Sequence, residues 1–175
     1  MTSKNINEIT HQWLKEICDK NTVAIDATAG NGHDTVFLAE LCKSVIAFDI
    51  STQAIVNTKK RCAGYDNVIL LHQSHDQMIN YVRKADIVVF NLGYLPHGDK
   101  NIITLTETTI RAMNQAKLIL GKGYVCVTCY RGHTGGKEEH AAVLEWLNEH
   151  MIIEKTYTYS VADAPIAYLA KVKDR

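Results

Sequence analysis

The stretch Val23-Ala24-Ile25-Asp26-Ala27-Thr28-Ala29-Gly30-Asn31-Gly32-His33-Asp34-Thr35 constrains the fold more than any other part of the chain. It reads as a buried strand, a turn holding two glycines, and the first residues of a helix. Glycine carries no Cβ penalty where the backbone turns left-handed or must approach a ligand closely. The helix that follows points its first N–H groups at whatever occupies the turn. Several nucleotide-like ligands are bound this way, so the turn alone does not choose among them. Thr35 stands where the dinucleotide fingerprint G-x-G-x-x-G has its third glycine, and an acid, Asp26, precedes the glycines.

The rest of the chain alternates in the same manner. Ile6, Ile9, Trp13, Leu14 and Ile17 recur at helical spacing ahead of the first strand. Helical patterns around Val36–Leu41 and Ile55, a shorter one at Met78–Val82, and longer ones over Ile110–Leu120 and Ala141–Leu147 separate apolar runs at Val45–Asp49, Val68–Leu71, Asp86–Asn91 and Tyr124–Tyr130. Two further strands are expected at Tyr157 and Tyr159 and at Ala167–Val172. Asp163-Ala164-Pro165 leaves no room between them for a crossover helix, so this pair should be antiparallel. The expected fold is α/β: a doubly wound, mostly parallel sheet of seven strands with a terminal antiparallel hairpin.

Bulk properties narrow the function classes. A chain of 175 residues, read as residues 1–175 of one domain, buries a core large enough to be stable alone. No apolar run reaches the ~20 residues of a membrane span, and residues 1–7 lack a secretory layout, so a cytoplasmic location is expected. Lys plus Arg and Asp plus Glu are both 19, which argues against broad affinity for nucleic acid but not against a local basic patch. The five cysteines are scattered; Cys126-x-x-Cys129 lies in a strand, where positions three apart face opposite ways, so a paired redox or zinc role is not expected. His72-x-x-His75 lacks a third ligand nearby, and no metal is expected.

Ligands of such sheets bind outside the carboxyl ends of the strands. The polar residues there are Asp26, Thr28, Gly30, Asn31, Gly32, Asp34 and Thr35 around the first turn, Asp49 after the second strand with Gln53 beyond it, Ser74 and His75 after the third, and Asn91 at the end of the fourth. Asp49 is placed to accept both hydroxyls of a ribose, or to cap the helix after it. Asp26 suits a ligand with an ammonium group better than one with a pyrophosphate, and S-adenosylmethionine is the cofactor expected. A nicotinamide dinucleotide is the rival; the missing third glycine and the closing hairpin count against it.

Three segments resemble a known family. Asp26–Thr35, Asn91-Leu92-Gly93-Tyr94-Leu95-Pro96-His97-Gly98-Asp99-Lys100 and Tyr130-Arg131-Gly132-His133-Thr134-Gly135-Gly136-Lys137-Glu138-Glu139 together are similar to the small bacterial methyltransferases long labelled rRNA methylases. The resemblance spans essentially the whole chain. It implies a Rossmann-like class I methyltransferase fold and a tRNA substrate, 5-aminomethyl-2-thiouridine at the wobble position, converted to the 5-methylaminomethyl form. Ribosomal RNA and a small molecule remain the alternative acceptors.

On that reading Asn91 holds the amine, and Tyr94, His97, Asp99 and His133 are candidates for the acceptor side of the site. Tyr94 and Tyr130 offer rings for a splayed anticodon base, and Lys100, Arg131 and Lys137 offer charge for phosphates of the anticodon stem-loop. A homodimer would double that contact surface.

Overall fold

In the computed structural model, residues 4–93 and 105–174 are described. Helix α1 (Ile6–Ile17) leads into β1 (Val23–Asp26), α2 (His33–Leu41), β2 (Ser44–Asp49), α3 (Thr52–Arg61) and β3 (Val68–His72). A 3-10 helix (His75–Asn80), β4 (Ile87–Leu92), α4 (Thr106–Leu120), β5 (Tyr124–Cys129), α5 (Gly136–His150), β6 (Met151–Thr158) and β7 (Ile166–Val172) follow. The strands form one seven-stranded sheet in the order β3-β2-β1-β4-β5-β7-β6. The first five run parallel, and β7 is antiparallel to both β5 and β6. The expected α/β sheet with its closing hairpin is therefore the sheet observed.

Local sequence accounts for most element ends. Asn5 caps α1 through a capping box completed by Glu8, and Ser51 caps α3 by accepting from the Ala54 N–H. Gly121, at φ 60°, closes α4. The central strand β4 is buried over Ile87–Phe90, as expected where helices cover both faces of a parallel sheet.

The pleat divides the core in two. Ile25, Phe48, Val88, Phe90, Val125 and Val127 face α4 and α5 in one apolar cluster. Ala24, Val45, Ile87, Val89 and Cys126 face α1 and α2 in the other. Cys126 and Cys129 fall in different clusters, so the C-x-x-C spacing does bring its two thiols to opposite faces of the sheet.

Two differences from the expected pattern matter for the site. Strand β6 starts at Met151, directly after α5, and ends at Thr158, so Tyr159 lies past its end. Half-buried and exposed residues alternate along it after a buried Met151, with Glu154 and Lys155 interrupting the apolar signal. Moreover, β7 inserts between β5 and β6 and pairs Ile166 with Cys129. That register carries the hairpin tip at Asp163–Pro165 to the same sheet edge as the carboxyl ends of the parallel strands. No helix among the described residues is long and apolar enough to cross a membrane.

Candidate functional site

Strand order switches between β1 and β4, which is where doubly wound sheets open a crevice. A cavity of about 660 Å³ lies there. The first turn lines it with Thr28, Gly30, Asn31 and Asp34, and the end of β4 contributes Asn91 with Gly93 just past it. Its far wall is Tyr130–His133 after β5, together with Asp163 and Pro165 of the hairpin. Asn7 of α1 completes the rim.

The turn is a tied structure. Gly30 and Gly32 adopt φ 58° and 86°, and Gly32 starts α2 without a side-chain cap. Asp49 at the end of β2 accepts from the Gly30 N–H at 2.9 Å with one oxygen and from the Ser51 N–H at 2.9 Å with the other. The cap of α3 is Ser51 and not Asp49, which holds the Ser51 N–H ahead of the helix; each Asp49 oxygen keeps a lone pair for a further donor. From behind, the Thr58 hydroxyl donates to Gly30 O at 3.0 Å and Arg61 Nε to Asn31 O at 2.9 Å. Gln53 is exposed and donates to Asn57, which in turn donates to Asn31 Oδ1.

Asp26 differs from its expected role. Its side chain is fully buried and does not line the cavity; it accepts from the Thr35 hydroxyl at 2.6 Å and from the Thr28 N–H at 3.2 Å. It ties the strand end to the first turn of α2 and has no surface for an ammonium group. Burial, reinforced by the nearby Asp34 carboxylate, pushes its carboxyl up to about 7 against the pull of those hydrogen bonds. Thr35, also fully buried, is its partner and is not among the residues that line the cavity. The acid of this turn that does face the cavity is Asp34, in the first turn of α2, across from Asp163 of the hairpin.

At the end of β4, the Asn91 N–H donates to the Thr28 hydroxyl at 2.7 Å, and Asn91 Nδ2 donates to Asp34 Oδ2. The second Asp34 oxygen lies 2.5 Å from Nε2 of His11 on α1, whose ring stacks on Phe37 with centroids 3.8 Å apart. His11 and Asn7 carried no signal in the sequence. They belong to an amphipathic helix far from every motif, and they reach the site only through tertiary packing.

After β3, His75 is buried beneath the turn; its Nδ1–H donates to Ala27 O at 3.1 Å, and its ring meets Phe90 edge-on. Burial lowers its basicity and keeps it neutral. Its neighbour Ser74 bonds Asp76, which Arg111 of α4 holds at 2.9 Å. His72 donates to Ile50 O at 2.9 Å, so the two histidines serve separate backbone carbonyls.

On the acceptor side, burial pushes the Tyr130 phenol up to about 12, so this ring is neutral. Arg131 Nε donates to Ala164 O at 2.8 Å, and Lys137 pairs with Asp163 at 3.1 Å. Two of the three basic side chains expected to face phosphates thus clamp the hairpin tip. A Cβ on Gly93 would lie 3.5 Å from Tyr130 Cβ and 3.8 Å from His133 Nε2, which places that histidine against the end of β4. Tyr94, His97, Asp99 and Lys100 lie outside the described residues.

Comparison with known proteins agrees with this geometry. The family described as "Putative rRNA methylase" matches residues 45–164. A chloroplastic protein of Arabidopsis thaliana named tRNA (mnm(5)s(2)U34)-methyltransferase is 34% identical over an alignment 156 residues long that covers 78% of this chain and 56% of that protein. The chain thus spans little more than half the length of that relative. A crystal structure described as a "putative methyltransferase from streptococcus mutans in complex with SAH" is 32% identical, with a TM-score of 0.87 over 98% of this chain and all of the other. A "putative rRNA-methylase" from Clostridium thermocellum superimposes with the same TM-score at 34% identity, again over 98% of this chain and the whole of the other.

Proposed function

The chain belongs to the family described as "Putative rRNA methylase", and on that premise we propose that it is an S-adenosylmethionine-dependent methyltransferase that methylates the amine of 5-aminomethyl-2-thiouridine at the wobble position of tRNA. The cofactor reading is supported by a relative, 32% identical over the length of both chains, crystallised with SAH. The residues fit such a group. The cavity is large enough, a carboxylate at Asp34 and another at Asp49 flank the turn, and the glycine backbone permits close approach. Bound there, S-adenosylmethionine supplies an electrophilic methyl group on a sulfonium.

The observation that carries the acceptor is the 34% identity to a protein named for methylation of that wobble uridine. A primary amine is already a strong nucleophile once uncharged, so the chain's task is to take up the amine and aim its lone pair. Asn91 suits that task. Its Nδ2 is committed to Asp34, which leaves Oδ1 as the acceptor for an amine N–H. Tyr130 lines the same cavity and offers a neutral ring against which a splayed base can stack. Arg131 and Lys137 bring the positive charge on that side within reach of an RNA backbone.

Mass spectrometry of wobble nucleosides decides the reading. Incubation of the protein and methyl donor with tRNA carrying 5-aminomethyl-2-thiouridine should yield the 5-methylaminomethyl nucleoside. Transfer to ribosomal RNA or to a metabolite, with none to that tRNA, would overturn it.

A further inference from the structure

We propose that His11 is a positioning residue for methyl transfer. It holds Asp34 against Asn91 and thereby fixes the orientation and the acceptor strength of the Asn91 carbonyl. The inference rests on the reading of Asn91 as the group that takes the amine. Its own observation is a line of three side chains from three elements: His11 on α1, Asp34 on α2 and Asn91 on β4.

Each link has a direction. A carboxylate only accepts, so the Asn91 amide must turn its NH2 to Asp34 and its Oδ1 away from it. The other Asp34 oxygen takes the Nε2–H of His11 at 2.5 Å. The imidazole cannot swing freely, because it lies flat on Phe37 at 3.8 Å and 6°, and α1 beneath it is anchored by buried Ile6, Trp13 and Leu14. The Asn91 backbone is pinned independently by Thr28. With both ends fixed, Asp34 has one orientation, and the amide has one too.

The line also has an electrostatic consequence. A hydrogen bond from the amide NH2 to a carboxylate polarises the amide and makes its oxygen a better acceptor. In the transfer, the methyl C–S bond of the sulfonium would break as the amine nitrogen bonds the methyl carbon; the positive charge passing to that nitrogen would strengthen its N–H bond to Asn91 Oδ1, and the proton would leave to solvent once the product forms. An interaction that gains strength between ground state and transition state appears in kcat and not in substrate affinity. Without His11, Asp34 is free to turn toward solvent and the amide loses its fixed direction.

The test compares wild type, His11→Ala and His11→Gln on tRNA carrying the aminomethyl nucleoside, with calorimetry of SAH binding. The Gln amide nitrogen falls near the position of Nε2 and donates the same bond. His11→Ala should lower kcat about tenfold, the scale at which outer partners support a functional group. The KM for tRNA and the SAH affinity should stay within about twofold, and His11→Gln should recover most of the loss. An unchanged kcat in His11→Ala, a loss that Gln does not recover, or an equal loss of SAH affinity would overturn the inference. Wild type that leaves this tRNA unmethylated overturns the acceptor reading instead. In that case a proton resonance judges the pairing itself: a slowly exchanging His11 Nε2–H signal should be present in wild type and absent in Asp34→Ala. Its presence in both would refute the link.

Discussion

The two rims of the cavity are built from similar parts and held in different ways. On each, a helix begins from a left-handed glycine with no side-chain cap, Gly32 before α2 and Gly135 before α5. Behind the first stands a closed set of hydrogen bonds: Asp26 with Thr35 and Thr28, Asp49 with Gly30 and Ser51, Thr58 with Gly30. Behind the second stand an exposed ion pair, Lys137–Asp163, a bond from Arg131 to the hairpin, and a buried bond from the Thr109 hydroxyl to Glu139 in the first turn of α5. The side-chain ties of the first rim run within the turn and to its neighbouring strand and helix, whereas those of the second reach the hairpin through an exposed ion pair.

The widest separation is expected from two glycine substitutions. In Gly32→Ala a Cβ would meet Thr58 Cα at 2.9 Å, and φ is 86°, so α3 must move and a strained backbone remains. Left-handed strain costs about 1–2 kcal/mol before any clash is counted. Binding of SAH, followed by calorimetry, should be lost or reduced at least about a hundredfold. In Gly136→Ala the new Cβ would lie 2.6 Å from Tyr130 O, which displaces the second rim and leaves the first in place. SAH affinity should then stay within about threefold while transfer to RNA falls at least about tenfold. Equal loss of SAH binding in both variants would break the distinction.

A pH series on Asp26 measures how tightly the first rim is closed. Its carboxyl sits at about 7 in the fold against an ordinary 3.8. Below the ordinary value both folded and unfolded chains carry the proton, and the favourable contribution of the protonated form is complete. As pH rises toward about 7 the unfolded chain gives up its proton first, so stability is lost across this window. Asp26→Asn cannot ionise. Its melting temperature relative to wild type should therefore rise between pH 5 and pH 8, by several degrees or about 2–4 °C per kcal/mol. A difference that stays flat with pH would show that Asp26 is not the titrating group.

Sequence alone reached the first rim because its contacts are short in chain terms or fall at strand ends that the alternation itself locates. Asp26 to Thr35 spans nine residues, and Asp49 ends the next strand. Burial was not legible: Asp26 was expected to face a ligand, yet the same turn hides it and exposes Asp34, eight positions later. Strand count and the antiparallel hairpin were legible from the short Asp163–Pro165 break. The insertion of β7 between β5 and β6 was not, because strand order depends on which edges pair in space. His11 was hidden for a similar reason; its partner is 23 residues away, and its helix reads only as amphipathic.

Asp49 tests the first rim with a smaller expected effect. Asp49→Ala removes the acceptors of the Gly30 and Ser51 N–H groups as well as the carboxylate proposed to meet a ribose. Hydrogen bonds to a charged group contribute about 1.5–3 kcal/mol, so SAH affinity should fall about tenfold or more. Asp49→Asn keeps one acceptor oxygen and should fall between the two. An unchanged affinity in Asp49→Ala would remove the ribose assignment and leave Asp49 as a support of the turn.

The smallest effect is expected on the second rim. Lys137 and Asp163 are 65% and 50% exposed, so solvent screens their 3.1 Å contact. A pair of that kind contributes about 0–1 kcal/mol, and Lys137→Ala should barely change the melting temperature. Its signature lies in RNA binding, since a lysine that meets one phosphate contributes about 0.7–0.9 to the slope of log affinity against log salt. Lys137→Ala should lower that slope by this amount. Asp163→Ala should do the reverse, because it releases Lys137 and removes a carboxylate from the path of the phosphates, so binding at low salt should tighten. If both variants weaken binding alike, the pair is a clamp that shapes the hairpin tip, and the charge that meets RNA lies elsewhere on this rim.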